Sequence, residues 1–157
     1  MTPGGYNQNV PLIQTETHVV LLNEMVHHSR VIPLDGSRHL DASIRQWKGD
    51  SRGHWDGGTL VVETTNFLRE TGFRSGLTYE NLTLTERFTR ESPTTLRYEA
   101  TIDDPTVWAQ PWTYQIPMQS NDQPLYEYAC HEGNYGLYNM LEGAREAEKA
   151  AEEAASK

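Results

Sequence analysis

The sequence predicts an all-β fold: an antiparallel meander of consecutive hairpins that closes into a calycin-like barrel or folds into a sandwich, with a short carboxyl-terminal helix. Three observations predict it. Runs rich in β-branched and aromatic residues recur from Thr17 onward with turn residues between them. Several of these runs alternate apolar and polar residues with the period of a strand, and a helix-forming composition is confined to the end of the chain.

Taken in order, residues 1–16 contain Pro3, Gly4, Gly5 and Pro11 and read as an extended arm. Residues 17–133 form the predicted β domain. Its first strands are HVVLLNEMVH (18–27) and SRVIPL (29–34), stopped by Asp35-Gly36. Asp56-Gly57-Gly58 lies between HW and TLVVETTNF and is the strongest hairpin signal, because these residues accept the positive φ of a tight turn. A second hairpin joins LTLTERFTRE (82–91) to TLRYEATID (95–103) through Ser92-Pro93-Thr94, and a third joins VWAQPWTYQIPM to PLYEYACHE. Residues 134–157 read as a helical tail, which after Leu141 has too few large apolar residues to bury a face.

Strand alternation assigns the faces. Leu82, Leu84, Glu86 and Phe88 share one side and Leu96, Tyr98, Ala100 and Ile102 another, both predicted to point inward. Glu86 is thereby placed among apolar neighbours. On the same reasoning Trp108, Trp112, Tyr114, Ile116 and Met118 form an aromatic row near an edge or bulge marked by Pro111. In the last predicted strand Glu127 falls in phase with His131, opposite Tyr126 and Tyr128.

At 157 residues the chain suits one ordinary core. A net charge of -9 with scattered basic residues tells against nucleic acid, since no Lys/Arg stripe tracks a phosphate backbone. No run approaches the about 18 apolar residues of a membrane span, and MTPGGYNQNV has neither the basic nor the apolar region of an export signal. The single cysteine, Cys130, leaves no partner for an intrachain disulfide and reads as a lone buried thiol.

The stretch from Met25 to Phe67 carries four of the six histidines and two of the four tryptophans, together with Arg30, Arg38, Arg45 and Arg52. It is the first place to look for a site. His27 and His28 are adjacent on a predicted strand and so point to opposite faces. His27 with His39 is the candidate pair for a transition metal such as zinc, copper or iron, although HxH, HExxH and HxxxH spacings are lacking. Arg30 is the candidate anchor for an anionic or hydroxyl-rich ligand. Glu86 on its apolar face is paired, solvated or protonated; unpaired burial would raise its pKa into the range of a general acid or base. Glu127 is a second carboxylate candidate, and Trp47, Trp55 and Tyr128 are candidate walls for a ring-stacking ligand. GDSRGHW is not a GxSxG nucleophile elbow.

The words EMVHHSRVIPLDGSRH, IRQWKGDSRGHWDGGTLVVETTNF, LTERF, TIDDPTVWAQPW and YEYACHEGNY together resemble a family of exported bacterial proteins of acidobacteria and proteobacteria. The resemblance covers nearly the whole chain and favours His27 and His39 over His28. It implies a periplasmic or secreted location and a longer parent protein, and it transfers no reaction.

These readings lead to a small extracytoplasmic enzyme, metal-assisted in one version, acting on a polar organic or carbohydrate-like substrate in a β-barrel pocket. His27, Arg30 and Glu86 are its expected catalytic groups. The rivals are a noncatalytic module that holds a small molecule, saccharide or metal, and an interaction protein whose acidic surface and helical tail serve assembly into a homo-oligomer.

Overall fold

The computed structural model describes residues 8–71, 80–129 and 131–155. Cys130, read above as a buried thiol, lies outside the described residues, as does most of the Pro/Gly segment of the arm. The chain divides into two units, Met1–Tyr126 and Glu127–Lys157.

The first unit holds two antiparallel sheets. Strands β1 (Leu12–Gln14), β2 (His18–Leu22) and β3 (Ser29–Pro33) form the smaller one. The larger runs in chain order through β4 (Asp50–Asp56), β5 (Thr59–Thr65), β6 (Thr83–Arg90), β7 (Thr95–Asp103) and β8 (Trp112–Gln119). Of the two expected alternatives the sandwich fits and the closed barrel does not: β4 and β8 stay at the edges of the described sheet. Its core joins Val19, Leu21 and Ile32 of the small sheet to Leu60, Val62, Phe88, Tyr98 and Ala100 of the large one. Burial of this apolar set drives the packing of the two sheets, at roughly 25 cal/mol per Å² removed from water.

Local chemistry explains the hairpins. Gly57, at φ 59°, turns β4 into β5 as the Asp-Gly-Gly signal predicts. Register then carries the alternation across the sheet: Gly53 pairs with Val62, Val62 with Glu86, Glu86 with Ala100 and Ala100 with Tyr114. All five positions of this row share the inward face. At Gly53 the small sheet comes very close; a Cβ there would lie 2.8 Å from Leu34 Cδ2 and 2.9 Å from Ile32 Cγ2. Gly53→Ala should therefore destabilise by about 1–3 kcal/mol through overpacking. An unchanged urea midpoint would show that the sheets yield there without cost.

Three further expectations differ. The arm contributes β1, whose Leu12 pairs with Leu21. The predicted strand through His27 stops at Leu22, because Val26 and His27 take left-handed φ values of 61° and 41° in a short 3-10 turn, Met25–His27. The third hairpin lacks its second arm: residues 124–129 join no ladder, and all but Tyr128 are exposed.

In the second unit the helix α1 (Gly136–Ala155) has no buried residue. Its Ala, Glu and Lys content supplies intrinsic propensity, so it forms without an apolar face to bury. Among the described residues no helix is long and apolar enough to cross a membrane.

Candidate functional site

Glu86 occupies the middle of β6 on the inner face and is 0 % exposed. Arg30 sits opposite Leu21 on β3, in phase with buried Ile32, and its side chain crosses between the sheets. The Arg30 guanidinium forms an ion pair through Nη2 with Glu86 Oε2. Tyr98, opposite Phe88 on β7, donates its hydroxyl to Glu86 Oε1 at 2.8 Å. Both carboxylate oxygens are thus engaged.

The electrostatics follow from this geometry. Burial pushes the Glu86 carboxyl up, but the opposing contributions, the Arg30 charge first and the hydrogen bonds from Tyr98 and Arg30 among the lesser ones, leave its pKa below the ordinary carboxylate value. Of the three readings of Glu86, paired, solvated or protonated, the paired one is found, and its pKa does not rise into the acid-base range. The Tyr98 hydroxyl moves strongly upward, first through burial and then through the negative charge of Glu86 and its contact with Tyr114. Ionising Tyr98 would set a second anion beside the first.

Tyr98 also forms part of the floor of a cavity of about 810 Å³ in the first unit. The small sheet leaves this end of the large sheet's inner face uncovered. Leu12, Leu96, Ile116 and Met118 supply an apolar wall, and Asn9, Asn23, Thr94, Ser120 and Asn121 supply polar groups. Met25, Val26 and His28 lie on the side made by the left-handed turn. Positive φ is costly for β-branched valine, and its neighbours must hold it there.

Buried Glu24, at 5 % exposure, fixes the adjoining backbone. It accepts from Asn9 N at 3.3 Å, Asn9 Nδ2 at 2.9 Å and Tyr126 N at 3.2 Å. Asn121 Nδ2 donates to Asn9 Oδ1 at 3.0 Å, so one acid and one amide hold the arm against residues far along the chain.

The predicted site residues do not converge. Arg30 and Glu86 meet, but as a mutually satisfied pair. His27 is exposed in its turn, and it is His28 that lines the cavity. His39 is held elsewhere, its Nδ1 3.1 Å from Asp50 Oδ2 and its Nε2 3.1 Å from Glu63 Oε1. Asp50 is burdened by burial but favoured more by the Leu40 amide, Arg52 and His39, so its pKa is lowered. These contacts account for His39 as a surface brace between β4 and β5. Among the described residues no group of three or more His, Cys, Asp and Glu is placed to hold a metal ion.

Trp47 and Trp55 are 63 % and 47 % exposed and do not line the cavity. Glu127 and Tyr128 belong to the second unit. Ser51 is buried with its hydroxyl 2.8 Å from Thr64 Oγ1, and its odd spacing from His54 turns the two side chains to opposite faces of β4. Sequence reasoning passed over Lys48, Arg90 and Glu24. The alternation of β7 did place Tyr98 inside, and a phenol on an inward face beside a buried carboxylate was the available signal for their bond. No family model, curated protein or solved structure matches the chain.

Proposed function

We propose that the β-sandwich unit is a noncatalytic module that binds a small organic molecule in the cavity floored by Tyr98. The cavity itself is the observation that carries this reading. Its volume of about 810 Å³ falls within the range of about 300–1,000 Å³ typical of small-ligand sites, and it joins an apolar wall to a few polar groups. The strained Val26–His27 turn at its side adds support, since such conformations concentrate at ligand sites.

The noncatalytic reading is favoured over the enzymatic one by the state of Glu86. A general acid or base must reach a substrate atom; Glu86 has no exposure and is satisfied on both oxygens. Leu96, Ile116 and Met118 favour an apolar ligand body over a sugar ring stacked on aromatic faces. An extracytoplasmic place of action, implied by the resemblance to exported proteins, belongs to the same proposal.

A neutral fluorescent probe, N-phenylnaphthylamine, tests it. The dye should bind with enhanced emission, and Met118→Trp, which fills the cavity from a half-buried position, should weaken binding by about tenfold or more. Binding unaffected by Met118→Trp and by a second filling variant, Leu96→Trp, would place the dye elsewhere and overturn the assignment.

A further inference from the structure

We infer that the cavity selects an organic anion, a carboxylate or sulfonate on an apolar body, drawn by the cations of its lining, Lys48 toward one end of the large sheet and Arg90 toward the other. This rests on the ligand-binding reading above and names the class of ligand. The chain carries 22 acidic residues and a net charge of -9. Yet among the described residues that line the cavity none is Asp or Glu, whereas Lys48, Arg90 and His28 all are lining residues. This concavity of an acidic unit is thus biased toward the opposite sign.

The cations are available. Arg30, on the inner face, is paired with Glu86. Neither Lys48 nor Arg90 has a carboxylate partner among the described residues. Arg90 donates through Nη1 to the Pro93 carbonyl at 3.2 Å, one use of a guanidinium with five N–H donors. Lys48 is exposed as a residue, but partial desolvation of its ammonium, followed by the like charge of Arg30, lowers its pKa. An anion beside it would relieve both effects. The rest of the lining sets the other half of the ligand: Val10, Leu12, Leu96, Ile116 and Met118 offer hydrocarbon surface that a free phosphate or sugar phosphate would leave unused.

A matched pair of dyes separates the charge from the body. Anilinonaphthalene sulfonate and N-phenylnaphthylamine share one aromatic skeleton and differ by the sulfonate. Titrated into the full chain at pH 7 and low salt, the sulfonate should bind about tenfold or more tighter than the neutral dye. At least one of Lys48→Met and Arg90→Met should weaken the sulfonate by about tenfold, and the neutral dye by much less. Added salt should erode only the sulfonate's advantage. Lys48→Gln and Arg90→Gln, checked by circular dichroism, guard against a folding defect in either methionine variant, and the wild-type comparison needs no variant. Equal affinity for the two dyes, or a sulfonate indifferent to both substitutions, would overturn the anion inference while the cavity reading stands. Binding of neither dye would overturn both.

Discussion

Replacing Arg30 with methionine is expected to lower the free energy of unfolding by about 3–5 kcal/mol, because it leaves the carboxylate of Glu86 buried without its counter-charge. The partners are not equivalent. The Arg30 side chain retains 16 % exposure and Glu86 only 1 %, so a stranded guanidinium can turn toward water and a stranded carboxylate cannot. Glu86→Gln should therefore cost less than Arg30→Met, and the double variant Arg30→Met with Glu86→Met should recover much of the loss. Urea denaturation of the three variants reads this directly. Equal costs for the two single changes would contradict a pair whose burden lies on the acid.

The pH dependence provides a second readout of the same pair. In the wild type Glu86 has a folded pKa below its ordinary value of 4.5. Its contribution to stability is therefore present above about pH 4.5 and is lost as the pH falls through the folded value. In Arg30→Met, burial acts without its main opponent and the folded pKa should rise. The sign then reverses: stability is retained while the acid stays protonated and lost as the pH rises through the new value. The difference between the two stability curves isolates this group from Asp50 and the other carboxylates. At the alkaline end, raised Tyr98 favours the fold below its ordinary pKa of 10.0, and stability should decline as the unfolded phenol begins to ionise above it.

How much of this was legible in the sequence depended on how far along the chain each cause lay. The β6 and β7 hairpin, its inward faces and the Gly57 turn were readable because alternation and turn chemistry are local. Glu86 could be placed on an apolar face by the same logic. Its counter-ion could not be chosen, since Arg30 lies 56 residues away and Arg38, Arg45 and Arg52 were equally eligible by composition. The failed strand at 124–129 teaches the complementary point: Tyr126 and Tyr128 suit a strand, but propensity describes fit to a pleated surface, and no described strand pairs beyond β8. Likewise the β-branched run before His27 gave no sign that Val26 would be forced to positive φ. The cavity escaped sequence reasoning because residues far apart in the chain, Lys48, Arg90 and Met118 among them, line it only through packing.

Glu24→Ala should have the second large effect, and it links the fold to the cavity. The substitution removes the acceptor of three hydrogen bonds, two from Asn9 and one from the Tyr126 amide, at a position with 5 % exposure. Donors to a carboxylate form stronger bonds than neutral pairs, and those left buried lose that partner with no equivalent in water. Access of water from the adjoining cavity would recover part of the loss, so about 3 kcal/mol is expected, against about 1 kcal/mol for Glu24→Gln, which keeps one acceptor oxygen. The two variants also differ in reach. Asn9 and Leu125 line the cavity, so releasing the segments around them should weaken both dyes in Glu24→Ala, unlike loss of a lining cation, which should weaken chiefly the charged one. Amide exchange would locate the release: faster exchange at Glu24, whose amide donates to the Asn9 carbonyl at 3.0 Å, and at Leu22, whose amide donates to Pro11, with β6 and β7 still protected. Uniform acceleration across all strands would instead mean that Glu24 supports the whole sandwich rather than the wall of its cavity.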